Sequence, residues 1–274
     1  MINRRLFWIL AALLAILLIP TMVWAAPPAA MSLYNDARDQ YVIEDASTVP
    51  RSIASITKVM TAMVILDARQ DMDENLRLSR AVASSLPRQY FTRRDLMRAM
   101  LIKSDNAAAE TLAENYPGGR HEFLVAMHEK ARRLKMRNTA FVDASGLGRG
   151  NISTARDLTR MMLAAKDYEF IREASTRKQM LLDTYHKSRV RTIELWNTNR
   201  PLLFEFDNVI ASKTGFTSAA GWCIAMAVEN GPDVYVIVVL GSRDKISRAK
   251  TVKTVLYNHI QDRDIQDDPG WQIP

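Results

Sequence analysis

At 274 residues, 48% of them apolar and 24% charged, the chain can bury one large core or two packed subdomains, and its composition excludes a disordered protein. The formal net charge of +7 is mild, and a single cysteine, Cys223, excludes an intrachain disulfide. A basic balance suits an anionic cell wall as well as nucleic acid, and the export signal described next argues against nucleic acid.

Arg4 and Arg5 precede an unbroken apolar run over 6–19, closed by Pro20 and the exit Val23-Trp24-Ala25. A basic start, an apolar middle and a small-residue end make a secretory signal, with cleavage expected after Ala25. An uncleaved anchor is the alternative, because 6–23 is nearly long enough to span a bilayer. Either way, residues 26–262 are expected to work outside the cytoplasm, periplasmic or secreted, with 263–274 as a loose polar tail.

A short hairpin is expected over 31–44, turning at 37–40. The segment 55–70 carries Ile56, Val59, Met60, Met63, Val64 and Leu66 and reads as a buried helix. From about 76 to 166 the texture is helical, with helices over 95–101, 106–114 and 119–135, and a loop at Asp143-Ala144-Ser145-Gly146-Leu147-Gly148. Thr154 reads as an N-cap with Asp157 in the first turn of a helix reaching Ala165. Strands follow over 189–195, 208–216, 222–228 and 234–240, the last two flanking a turn at 229–233. An amphipathic helix over 247–260 closes the domain. First strands pairing with last ones across a helical insertion make an α+β plan. Cys223 lies in an apolar run and reads as a buried structural thiol.

Ser55 and Lys58 stand three apart and so share a helix face, putting the amine within reach of the hydroxyl. A serine becomes a nucleophile when a base stands beside it, and lysine serves only when desolvation and nearby positive charge hold it neutral. Ser-x-x-Lys also occurs at Ser175/Lys178, Ser242/Lys245 and Ser247/Lys250, in charged segments that read as solvated faces. Two triplets single out the first pair. Ser104-Asp105-Asn106 lies between helices, and Lys213-Thr214-Gly215 lies on a strand where glycine lets a substrate backbone approach.

This ordered set resembles that of class A β-lactamases and penicillin-binding proteins. The stretches Ala54-Ser55-Ile56-Thr57-Lys58-Val59-Met60, Leu101-Ile102-Lys103-Ser104-Asp105-Asn106, Asp143-Ala144-Ser145-Gly146-Leu147 and Lys213-Thr214-Gly215-Phe216-Thr217 narrow it to the serine-type D-Ala-D-Ala carboxypeptidase family. The resemblance runs over about 31–260. Relatives usually add a C-terminal β-domain and an anchoring helix. The few tens of residues after Gly215, with Asn197-Thr198-Asn199 and Ala220-Gly221-Trp222-Cys223, are similar to the small D-alanyl-D-alanine endopeptidases.

The resemblance implies a β-lactamase/transpeptidase-like fold, an antiparallel sheet flanked by helices with an all-helical subdomain. It implies that Ser55 is acylated by a D-Ala carbonyl, that Lys58 takes its proton, and that Ser104 relays a proton to the leaving amine. Asn106 would hold the substrate backbone, Lys213 would add positive potential, and Thr214 would bind a carboxylate. Gly215 would admit the substrate strand, and the N–H groups of Ser55 and Phe216 would form an oxyanion hole. Peptidoglycan stem peptides and crosslinks are the implied substrates, and β-lactam antibiotics the implied covalent inhibitors. Neither cofactor nor metal is implied, and the four histidines lack His-Glu-x-x-His spacing. A β-lactamase is disfavoured because no Glu-x-x-Leu-Asn stretch occurs over 140–187. A non-catalytic wall-binding module remains the reading of another class.

Overall fold

The computed structural model describes residues 29–186 and 189–260. The expected signal segment, its cleavage point and the polar tail lie outside the described residues.

The chain opens with β1 (Ala30–Asn35) and β2 (Gln40–Asp45), then a short strand β3 (Arg51–Ser52) and a 3-10 turn (Ala54–Ile56) that runs into α1 (Thr57–Asp67). A ribbon of β4 (Asn75–Arg77) and β5 (Tyr90–Thr92) leads to α2 (Arg93–Ile102), α3 (Asn106–Glu114) and α4 (Gly119–Arg133). Next come β6 (Ile152–Ser153), which pairs with β3, then α5 (Ala155–Ala165) and α6 (Glu169–Thr176). A separate ribbon of β7 (Gln179–His186) and β8 (Arg189–Trp196) precedes α7 (Arg200–Glu205). β9 (Val209–Thr217), β10 (Gly221–Asn230), β11 (Asp233–Ser242) and α8 (Lys245–His259) complete the described fold.

The main sheet is antiparallel in the order β2-β1-β11-β10-β9, so the first hairpin pairs with the last strand, Ala30 opposite Leu240 and Asn35 opposite Tyr235. β10 and β11 are buried along nearly their whole length because both sheet faces are covered. Ile224, Met226, Ile237 and Val239 pack beneath Val252 and Leu256 of α8 and Leu202 and Leu203 of α7. The alternate residues Ala225, Ala227, Val236 and Val238 join a larger core with α1, α2, α3 and α5. The fold is therefore the expected sheet flanked by helices. No helix among the described residues is long and apolar enough to cross a membrane.

Three details differ from the sequence reading. α5 packs on β1, β10 and β11, so the expected insertion over 76–166 gives up its last helix to the sheet layer. The strand expected over 189–195 belongs to the β7–β8 ribbon rather than the main sheet. α6 and α7 are further helices that the sequence pattern does not predict. The residues Ile171 and Ala174 bury one side of α6, a spacing of three that was legible in principle.

Candidate active site

Ser55 sits in the 3-10 turn, one residue past Ala54, which holds a left-handed backbone (φ 48). That bend lifts the hydroxyl out of the core, while Lys58, in the first turn of α1, is wholly buried. The Lys58 Nζ lies 2.8 Å from Ser55 Oγ, 2.7 Å from Asn106 Oδ1 and 2.5 Å from the Ser145 carbonyl oxygen. A neutral amine has two hydrogens and one lone pair. The Asn106 Oδ1 and the Ser145 carbonyl oxygen can only accept, so in the neutral form they take the two hydrogens and leave the lone pair for the Ser55 hydroxyl.

Burial pushes the Lys58 amine down to about 7, against the upward pull of the Asp143, Asp105 and Glu110 carboxylates. Lys213, also buried, is held well below the ordinary lysine range, first by burial and then by the charges of Lys58 and Arg248. Neutralisation of Lys58 thus rests on its apolar helix. The repulsion between the two amines is felt at Lys213.

Ser104-Asp105-Asn106 bridges α2 and α3. Ser104 takes a left-handed backbone (φ 62), and its Oγ accepts a 2.9 Å hydrogen bond from Lys213 Nζ. Asp105 is the fastener: one oxygen caps α3 at Ala108 N (2.9 Å), while the other accepts from Ser84 Oγ (2.8 Å) and from Ser85 N (2.7 Å) and Oγ (2.9 Å). Asn106 opens α3 with its amide turned to Lys58.

β9 brings Lys213, Thr214, Gly215 and Phe216 alongside. A Cβ on Gly215 would stand 2.9 Å from the Ile53 carbonyl oxygen and 3.0 Å from Ser55 N, so glycine lets the strand lie against the Ser55 turn. Thr214 Oγ1 donates to Thr198 Oγ1 at 2.6 Å. Phe216 is half exposed, its ring 4.3 Å from that of Trp222. Together these elements border a cleft of about 630 Å³ whose lining includes Ser55, Ser104, Thr214, Gly215 and Phe216.

The structure adds residues that the sequence reading passed over. Asp143 accepts from Ser145 N (3.0 Å), Gly146 N (2.6 Å) and Gly148 N (2.6 Å), folding the loop that delivers the Ser145 carbonyl to Lys58. Gly146 is left-handed (φ +84), and a Cβ there would fall 2.0 Å from the Ala54 carbonyl oxygen. Arg248 of α8 is buried at the cleft wall, its guanidinium donating to the Cys223 carbonyl (3.4 Å) and its Nε without a partner. Arg248 and Thr214 line the same cleft, and a buried guanidinium with an unpaired N–H there can take a carboxylate. No signal in the sequence marked it, because α8 looked like an ordinary closing helix.

The other Ser-x-x-Lys pairs have different fates. Ser175 is buried and accepts from Ser212 N at 3.1 Å, a packing role rather than the solvated face expected. Ser242 is buried too, whereas Lys245 and Lys250 are exposed. Cys223 is buried with its thiol pushed up to about 11 by burial, as a structural cysteine would be. His128 is partly buried with Nε2 2.9 Å from the Phe141 carbonyl oxygen.

A family model described as D-alanyl-D-alanine carboxypeptidase matches residues 30–244. The D-alanyl-D-alanine endopeptidase of Escherichia coli is 39% identical over 198 residues, covering 69% of this chain and 63% of the relative. That of Pseudomonas aeruginosa is 38% identical over 201 residues, covering 70% and 64%. The chain therefore matches slightly less than two thirds of the length of these curated relatives. Among solved structures, the Streptomyces K15 DD-transpeptidase aligns with TM-score 0.77 at 27% identity, over 83% of this chain and 94% of that one. A cefotaxime-bound form of penicillin-binding protein D2 from Listeria monocytogenes aligns with TM-score 0.72 at 28% identity, over the same shares. Sequence and fold agree over most of the described residues, and the chain belongs to the D-alanyl-D-alanine carboxypeptidase family.

Proposed function

We propose that this chain is a peptidoglycan DD-peptidase acting through a Ser55 acyl-enzyme, and that its main reaction is endopeptidase cleavage of D-Ala–diaminopimelate crosslinks. The observation that carries this reading is the pairing of Ser55 Oγ with a buried, neutral-leaning Lys58 whose hydrogens are already committed to Asn106 and Ser145.

In this reading the Ser55 proton passes to Lys58 Nζ as Oγ bonds to the D-Ala carbonyl carbon. The oxyanion sits between the N–H groups of Ser55 and Phe216, whose fixed dipoles stabilise the developing charge. The C–N bond then breaks, and Lys58 gives up the proton it took, which reaches the leaving nitrogen by way of Ser104, itself held by Lys213 at 2.9 Å. Thr214 and Arg248 hold the carboxylate beside the scissile amide, while Asn106 steadies the substrate backbone. Water then attacks the ester carbon while Lys58 takes one of its protons, the bond from that carbon to Ser55 Oγ breaks, Lys58 passes the proton to Oγ, and the product leaves as an acid. Gly215 admits the substrate strand.

A terminal D-Ala and the D-centre of diaminopimelate both carry a carboxylate next to the scissile amide. Carboxypeptidase cleavage therefore uses the same residues and is the second activity. β-Lactams carry a comparable carboxylate beside a reactive amide and would acylate Ser55, in line with the cefotaxime-bound relative. Residues 26–262 form the working unit in this reading, exported by 1–25 to the periplasm or cell exterior.

The test is digestion of purified crosslinked muropeptides, scored for dimers becoming monomers against free D-Ala. Wild-type protein converts dimers and is labelled by fluorescent penicillin, and Ser55→Ala does neither while keeping its circular dichroism spectrum. Hydrolysis retained by Ser55→Ala would remove the nucleophile. Failure of the wild type to take up penicillin or cut either substrate would favour a non-catalytic wall-binding module.

A further inference from the structure

The cleft contains more positive charge than one substrate carboxylate needs. Its lining includes Arg200, Lys245 and Arg248 and neither aspartate nor glutamate. Arg248, like Thr214, is buried in the cleft wall, whereas Arg200 and Lys245 are exposed and form its rim. Neither rim cation forms an ion pair among the described residues. Asp244, next to Lys245 in sequence, is committed to capping α8 at Ser247 N (2.7 Å) and Oγ (2.8 Å) and to Arg243 (3.3 Å).

Arg200 is held in place. Asn197 and Asn199 are buried, and Thr198 and Arg200 alternate with them on the exposed side. The Asn197 amide donates to the carbonyls of Ser175 and Arg177, both at 3.0 Å, and its oxygen accepts from Asn199 N at 2.8 Å. Asn199 reaches Ser212 Oγ on β9 at 3.3 Å. Thr198 N donates to the Ile102 carbonyl at 3.1 Å, tying the segment to the end of α2. The Arg200 guanidinium lies over the Trp196 ring, 4.6 Å from its centroid, which limits its rotamers without consuming its outward N–H donors.

We propose that Arg200 and Lys245 form a second anion subsite at the rim, taking a further carboxylate of the leaving peptide strand and so favouring crosslinked strands over a terminal D-Ala. A departing D-Ala has one carboxylate, already matched by Thr214 and Arg248. A departing crosslinked strand carries others farther along, such as the free α-carboxylate of a γ-linked glutamate. Two rim cations facing an acid-free cleft fit that second kind of leaving group. The inference rests on the DD-peptidase reading and names its specificity.

The experiment compares kcat/KM for a crosslinked tetrapeptide dimer with that for D-Ala release from diacetyl-L-Lys-D-Ala-D-Ala, which has one carboxylate. Variants are Arg200→Gln, Lys245→Gln, the double substitution, and Arg200→Lys. The dimer-to-monocarboxylate ratio falls about threefold in each single neutral variant and about tenfold in the double, as expected for exposed ionic contacts. Arg200→Lys keeps most of the ratio because the charge remains. The wild-type ratio also falls as salt is raised, since rim charges are screened. An unchanged ratio in the double variant overturns the proposal while leaving Ser55 chemistry standing. An equal fall on both substrates overturns it too, marking a packing role for Arg200 on Trp196. A wild type that releases D-Ala but leaves dimers whole removes the subsite and the endopeptidase assignment together, whereas absence of penicillin labelling removes the acyl-enzyme reading itself.

Discussion

Lys213 Nζ stands 2.9 Å from Ser104 Oγ, joining a strand of the main sheet to the turn between two helices across 109 residues of chain. Ser104 lines the cleft, so the bond fixes part of its wall. It also explains why Ser104 tolerates a left-handed backbone, a conformation that costs an ordinary residue about 1 kcal/mol.

If Ser104 passes the proton to the leaving nitrogen, Ser104→Ala lowers kcat for peptide hydrolysis by about 10²–10⁴-fold. Single-turnover release of D-Ala measures this. A rate within a few-fold of wild type would assign the relay elsewhere.

Lys58 accepts a proton only when neutral, and burial places its titration at about 7. Acylation by fluorescent penicillin should therefore climb about tenfold per pH unit below 7 and level off above it. Stopped-flow rates from pH 5 to 9 check the sign. A flat profile would show that another group is the base.

Asp143 is the largest of the influences that pull Lys58 upward. Asp143→Asn removes that charge, so the acid limb of the acylation profile moves to lower pH. The same change weakens the bond to Gly148 N and lowers unfolding stability by about 1–3 kcal/mol. A shift of the limb to higher pH would contradict the electrostatic account.

At Gly146 a methyl group meets both a positive φ and the Ala54 carbonyl oxygen at 2.0 Å. Gly146→Ala should lose about 2–4 kcal/mol in urea unfolding, with slower acylation because the Ser145 carbonyl shifts from Lys58. Wild-type stability in this variant would mean that the loop relaxes without consequence.

Much of this molecule was written in local pattern. The apolar run after Ser55, the N-cap at Thr154 and the paired strands around 229–233 declare themselves through side-chain periodicity and turn chemistry, which act over a few residues. The three triplets named the chemistry because each residue type has few other reasons to stand in that order. α7 was harder to see: it is six residues long, too short to show a helical period.

Sequence alone determined the kind of fold and singled out Ser55 and Lys58 as the proposed nucleophile and base, since these rest on spacing within one element or on an ordered set of motifs. Tertiary structure alone decided what surrounds them: the Ser145 carbonyl that orients Lys58, the Asp143 carboxylate that tunes it, and the cations Arg200, Lys245 and Arg248 that meet in one cleft. Those partners come from separate segments brought together by burial of the shared core, and no short-range pattern records which distant residues packing will make neighbours.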